Sequence, residues 1–155
     1  MELTTAMLAD GAHQLPGGKL YILGGQWDRL IVPSFPAQQP TMALVLVIKV
    51  EYTEALDRHH LDVQLMIDGQ PHSARAAGEM ITGHAPGQAR GAPTFVPLAL
   101  TFNDLVFETP GRYEWVVNVD EGELGRIPIE VNQGMIPGMP GTTVRQPPAR
   151  GPGDE

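Results

Sequence analysis

The side chains with which this chain could carry out chemistry are five histidines, two serines and a few clustered carboxylates. A metal site needs two or three histidines converging with each other or with carboxylates. His59 and His60 are adjacent, so on a strand they point to opposite faces and cannot share one ion. His72 and His84 flank a polar stretch where a spatial pair is conceivable, and His13 stands alone. The expectation is ordinary surface histidines, with no metal and no cofactor. Ser73 follows His72, but adjacency in sequence does not give the base–hydroxyl geometry that a nucleophile requires, and no G-x-S-x-G is present. Asp120, Glu121 and Glu123 suit glycoside chemistry or weak Ca²⁺ binding by charge only, and a solvated hairpin turn is the expected role. The glycine pairs Gly17-Gly18 and Gly24-Gly25 match neither phosphate-loop spacing. With no cysteine there is no disulfide, thiolate ligand or thiol nucleophile. The residues therefore predict a non-enzyme.

Binding rather than catalysis leaves the aromatics. Tyr21, Trp27, Tyr52, Tyr113 and Trp115 are candidates for a sugar or peptide platform, with core packing as the simpler reading. The net charge of −8 and scattered Lys and Arg argue against nucleic acid and against anionic membranes. The most apolar run, Met42 to Val50, is far shorter than the roughly 20 residues that span a bilayer. The N-terminus carries Glu2 and no basic stretch, so no secretory signal is expected and the cytoplasm is the predicted location.

These residues must be positioned by strands. From Arg112, Tyr113, Trp115, Val117 and Val119 alternate with Arg112, Glu114 and Asn118, with Val116 breaking the pattern; this predicts a half-buried strand. Pro110-Gly111 introduces it, and Asp120 to Glu123 turns the chain into a returning strand, Leu124–Val131. Further strands are predicted over Glu2–Asp10, Lys19–Leu23, Gln26–Val32, Thr41–Tyr52, His60–Ile67, Gln70–Thr82 and Thr94–Phe102. Gly24-Gly25 marks a bend that re-aims Trp27. Thr41–Tyr52, nearly all apolar, predicts a central strand covered on both faces. Phe35 sits within the proline-rich loop Pro33–Pro40 as a hydrophobic pin. Asp68-Gly69 is a two-residue hairpin signal. Gln70–Thr82, polar and Ala-rich, is a predicted edge, and Pro97 places its strand at an edge or a bulge. The fold class is thus all-β: an antiparallel sandwich, immunoglobulin-like in style, over residues 1–132. Tyr113, following Pro-Gly at the start of a late strand, fits the tyrosine corner of such sandwiches. Residues 133–155, rich in Pro and Gly, are predicted to be a disordered tail.

Several separated stretches carry a resemblance. Leu8-Ala9-Asp10, Gly18-Lys19-Leu20-Tyr21-Ile22-Leu23-Gly24-Gly25 with Trp27, the charged run Glu51 to His60, Asp68-Gly69, and Pro110-Gly111-Arg112-Tyr113-Glu114-Trp115 occur in that order. Over roughly Leu3 to Val131 the chain resembles a bacterial family, domain of unknown function 6941. The resemblance implies a compact all-β domain of cytoplasmic type and assigns no catalytic residue.

Three functions suit such a scaffold. The first is a non-catalytic protein-interaction or structural module. It would bind a partner, or a second copy of itself, through the exposed edge at Gln70–Thr82, where Arg75 and Glu79 stand, or through the loops at Trp27 and Phe35. The alternatives are a carbohydrate- or small-ligand-binding module using Trp27, and a metal-dependent enzyme using the histidines.

Overall fold

A computed structural model describes residues 1–135. Nine strands form two sheets: β1 (Glu2–Gln14), β2 (Leu20–Trp27), β3 (Arg29–Val32), β4 (Ala37–Val50), β5 (Arg58–Ile67), β6 (Gln70–Ile81), β7 (Thr94–Phe107), β8 (Gly111–Val119) and β9 (Gly122–Gln133). The four-stranded sheet has the order β2-β1-β4-β7, and the five-stranded sheet β3-β9-β8-β5-β6. All pairings are antiparallel except β3 with β9, which is parallel. The fold is the predicted all-β sandwich, its sheets mixed at that one edge.

The parallel pair follows from how the chain changes sheets. Gln26–Val32, predicted as a single strand, is broken at Asp28. β2 belongs to one sheet and β3 to the other, and the Asp28 carbonyl accepts from the Glu130 amide at 2.8 Å. Other boundaries move outward: β1 runs to Gln14, β4 begins at Ala37 and β7 ends at Phe107. The proline-rich loop therefore shrinks to 33–36, where Phe35 is half-buried against the core, as a pin should be. β9 reaches Gln133. The remainder of the predicted tail, from residue 136, lies outside the described residues.

The core lies between the two sheets. Met42, Leu44, Leu46 and Ile48 of β4 face Leu65, Tyr113, Trp115 and Ile129 of the other sheet, all of them nearly or wholly inaccessible. Burying each side chain of this size contributes about 1.5–3 kcal/mol. The Tyr113 hydroxyl donates to the Thr109 carbonyl at 2.7 Å, the tyrosine-corner bond. Val116, the residue out of phase, is buried on the outer face. Gln64 and Arg126 oppose it on either side, and their long stems cover it. At the β5–β6 turn Asp68 and Gly69 both take positive φ, 49° and 74°, as a two-residue hairpin of that type requires.

β4 is covered on both faces, as its composition predicts, and the second cover is an arm. β1 pairs with β4 over Glu2–Ala9 and with β2 over Leu8–Gln14. The β1–β2 hairpin folds across the outer face, where Ala12 and Leu20 pack with Ala43, Val45 and Ala99. At its tip, a Cβ on Gly18 would lie 3.7 Å from Pro97 on β7.

Candidate functional site

His59 and His60 open β5, and the strand sends them to opposite sides. His60 is exposed, whereas His59 is buried at 8 % exposure. The β5–β8 register pairs Leu61 with Val119, which brings the β8–β9 turn beside both histidines. Asp120, at φ 56°, accepts from the His60 amide at 2.9 Å through Oδ1 and meets His59 Nδ1 at 2.8 Å through Oδ2. His59 Nε2 faces the Glu54 carbonyl at 2.9 Å. Both ring nitrogens therefore face acceptors, and only the imidazolium can donate to both. Burial lowers the ring's affinity for its proton. The bonds to Asp120 and Glu54, with the charges of Asp120 and Asp57, outweigh that and raise the pKa overall. The His59 bond, and then the His60 amide, hold the Asp120 carboxyl below its ordinary range. This pair ties the β4–β5 turn to the β8–β9 turn and leaves no ring nitrogen free to act as a base.

Of the other histidines, His72 and His84 are engaged in packing. His72 Nε2 donates to the Val106 carbonyl at 2.8 Å, and its Nδ1 accepts from the Ala74 amide at 3.1 Å. This joins edge strand β6 to edge strand β7 across the sheets. Ser73 Oγ stands at 3.5 Å from that same nitrogen, which already has its donor in the Ala74 amide. His84 stacks on Tyr52 with ring centroids 3.9 Å apart. His13 is exposed on the arm. Among the described residues, no three His, Asp or Glu side chains come together as a metal site. The structure does not bring His59, His60, His72 and His84 together.

A model of a family of unknown function, DUF6941, matches residues 4–132. The chain belongs to that family. No curated protein and no solved structure matches it. The DUF6941 family carries no assigned role.

Two surface regions matter. The first is the corner where the DUF6941 domain changes sheets. Leu8 pairs with Trp27 and Ala9 with Gly25, so Gln26 is the extra residue of a bulge, at φ 66°. The bulge turns Trp27 inward against the core. Beside it lies a cleft of about 270 Å³ lined by Met7, Gln26, Trp27, Asp28, Arg126 and Pro128. The Trp27 indole N–H is buried there without an acceptor among the described residues. Phe35 packs against the core and does not line this cleft.

The second region is the set of sheet edges. β6 is an edge strand, as predicted. Its charges are paired with β5: Arg75 clamps Asp62 at 2.7 and 2.9 Å, and Glu79 meets Arg58 at 3.0 Å. β7, with Pro97, is the matching edge of the other sheet, and a cleft of about 370 Å³ separates the two at Ala74, Arg75 and Phe102. β2 is the edge that reading by composition passed over. Leu20 to Trp27 contains no charge and no proline. Tyr21 is 55 % and Leu23 68 % exposed. The available signal was the contrast with Gln70–Thr82: an apolar run bounded by glycines is as much an edge as a polar one when only one neighbour exists to pair with it. Among the described residues no helix is long and apolar enough to cross a membrane.

Proposed function

We propose that this domain is a non-catalytic, cytoplasmic protein-interaction or assembly module that takes its partner through an open sheet edge. The observation that carries the reading is β2, an uncharged edge strand exposing Tyr21 and Leu23. Unpaired backbone N–H and C=O groups along such a strand accept an added strand, and the side chains supply selectivity. Edges are normally blunted by charge, proline or cover, and β6 carries two of these in Pro71 and its paired Arg75 and Glu79. β2 carries none. A non-catalytic role is supported by His59 and His72, whose ring nitrogens are all engaged in structural bonds. The net charge of −8 disfavours nucleic acid and anionic membrane as partners.

The test is selection of extended peptides against the domain, followed by amide-shift mapping. Binders should perturb β1 and β2, and Leu23→Lys should remove them while Ala76→Pro does not. Peptides that bind equally well to Leu23→Lys refute the β2 reading and return attention to Arg75 and Glu79. A second reading is favoured by one observation, the unpartnered Trp27 indole in its polar cleft. A sugar or other small ligand with an acceptor for that N–H would perturb Gln26, Trp27 and Asp28 and leave Leu20 to Leu23 unmoved.

A further inference from the structure

We propose that the partner at the β2 edge is a second copy of this chain, paired antiparallel about a two-fold axis at Ile22, joining two four-stranded sheets into one of eight. The inference rests on β2 being an interaction edge and adds what occupies it.

Three features of the strand support a copy of itself as occupant. The first is charge. Each copy carries a net −8, so two copies repel over most of their surfaces, and Leu20–Trp27 is a strip where they can approach without opposing like charges. The ends of the strip are complementary. Lys19 is exposed at one end. At the other, Asp10 lies over Gly24, and exposed Asp28 follows Trp27. Antiparallel pairing sets the lysine end of each copy against the aspartate end of the other, whereas parallel pairing would align like with like.

The second feature is side-chain complementarity. Ile22 lies on the inner side of the arm, paired with buried Ala12 and with its Cγ2 beside Gly25. Tyr21 and Leu23 alternate to the outer side, where β1 offers only His13 and Gly11 as their neighbours. A two-fold at Ile22 places each Tyr21 opposite the other copy's Leu23 on that outer side. This is an aromatic–aliphatic cross-strand pair, made twice, of the kind that stabilises a sheet. An interface of this type is isologous, closing at two copies.

The third feature is the limit on register. Gly24 and Gln26 take positive φ, 57° and 66°, so regular pairing ends there. An axis at Ile22 confines the regular pairs to residues 21 through 23 and keeps Gly24 and the bulge outside the ladder.

The experiment is sedimentation of the full chain over roughly a hundred-fold range of concentration, since a homodimer's population follows protomer concentration. The expected result is a species of twice the chain mass that Leu23→Lys converts to monomer. Leu23 is 68 % exposed, so the variant should keep the wild-type far-UV spectrum. The chain has no cysteine, which gives a second readout. Facing positions on antiparallel strands lie about 4.5–5.5 Å apart at Cα, within disulfide reach. Ile22→Cys should form a covalent dimer under mild oxidant, and Ala76→Cys on β6 should not. Wild-type protein that stays monomeric at every concentration overturns the dimer, as does cross-linking at Ala76→Cys in place of Ile22→Cys. A monomer that still binds peptides in a Leu23-dependent way keeps the interaction edge and loses only the self-pairing. A monomer whose peptide binding ignores Leu23 loses both.

Discussion

Trp115→Ala tests whether the sandwich core is organised as described. Trp115 is wholly buried. Its cross-strand neighbours are Leu65 on β5 and Ile127 on β9, and the ring of Phe102, reaching across from the opposite sheet, packs on it at 4.3 Å. Truncation removes the largest side chain of the core from between two sheets whose ladders resist collapse. The transfer and cavity contributions together should cost about 3–5 kcal/mol. Against a domain stability of about 5–15 kcal/mol, that lowers the melting temperature by roughly 10–20 °C. A second variant separates volume from polarity. Among the described residues the indole Nε1 has no hydrogen-bond partner, so Trp115→Phe should lose no bond. Removing an unpaired buried donor recovers about 1–3 kcal/mol, which offsets part of the volume lost. Urea unfolding followed by far-UV dichroism measures both variants. Trp115→Ala melting within a few degrees of wild type would refute the packing argument. Equal losses for Phe and Ala would mean that the indole N–H has an acceptor.

Other outcomes follow from the same geometry. The His59 ring binds its proton more tightly in the folded chain than in the unfolded one, so its contribution is fully present below about pH 6.5. It fades as pH rises further, through the raised folded value, so stability should fall as pH climbs above about 6.5, and His59→Gln should flatten that fall. Asp120, held low by His59, loses its contribution only as pH drops through the acid range. Gly24→Ala forces a Cβ onto the Asp10 carboxylate at φ 57°, and should cost about 1–3 kcal/mol by thermal melting; Asp10→Ala beforehand should recover part of it. Ala76→Pro on edge strand β6 should leave the chain folded by far-UV dichroism, and a variant that unfolds would show that β6 is held from both sides. Chelator should leave the melting curve unchanged, because a structural metal would contribute folding free energy; a stoichiometric metal by elemental analysis would contradict this.

Most of the fold was legible because it depends on period and punctuation. The alternation around Tyr113 and Trp115, the Asp68-Gly69 turn, the unbroken apolar run of β4 and the Pro97 edge each have a local physical cause, and each is where the residues said. What was not legible depends on pairing. Asp120 reads as one acid in a solvated turn; only the register of β8 on β5 puts it against His59. His72 reads as the neighbour of Ser73, yet its bond goes to Val106, 34 residues away on the opposite sheet. Trp27 was expected to be re-aimed at Gly24-Gly25; Gly24 does take positive φ, but the bulge that turns Trp27 inward is at Gln26, and the change of sheet at Asp28 has no marker in composition. The arm was missed for the same reason. Ala12, Leu20 and Ala99 are unremarkable until the hairpin folds them onto β4.

The edges give the surface its logic. On one side of the sandwich the two sheets end in β6 and β7, tied by the bond from His72 to the Val106 carbonyl and further blunted by Pro71, Pro97 and the ion pairs of Arg75 and Glu79. On the other side the chain passes from sheet to sheet at Asp28. The short strand β3 is thereby held by its own connection and by Glu130, and β2 is carried out on the arm. A sheet edge left uncharged favours strand addition, including unwanted addition, so blunting β6 and β7 while leaving β2 uncharged is informative. The arm itself is anchored, through Ala12 and Leu20 on the β4–β7 face. Its outer strand is therefore presented in a fixed conformation, which lowers the ordering cost of accepting a partner strand. Under the proposed strand addition, an anchored, uncharged edge on an otherwise acidic domain is better matched to a defined strand partner than to a diffuse one.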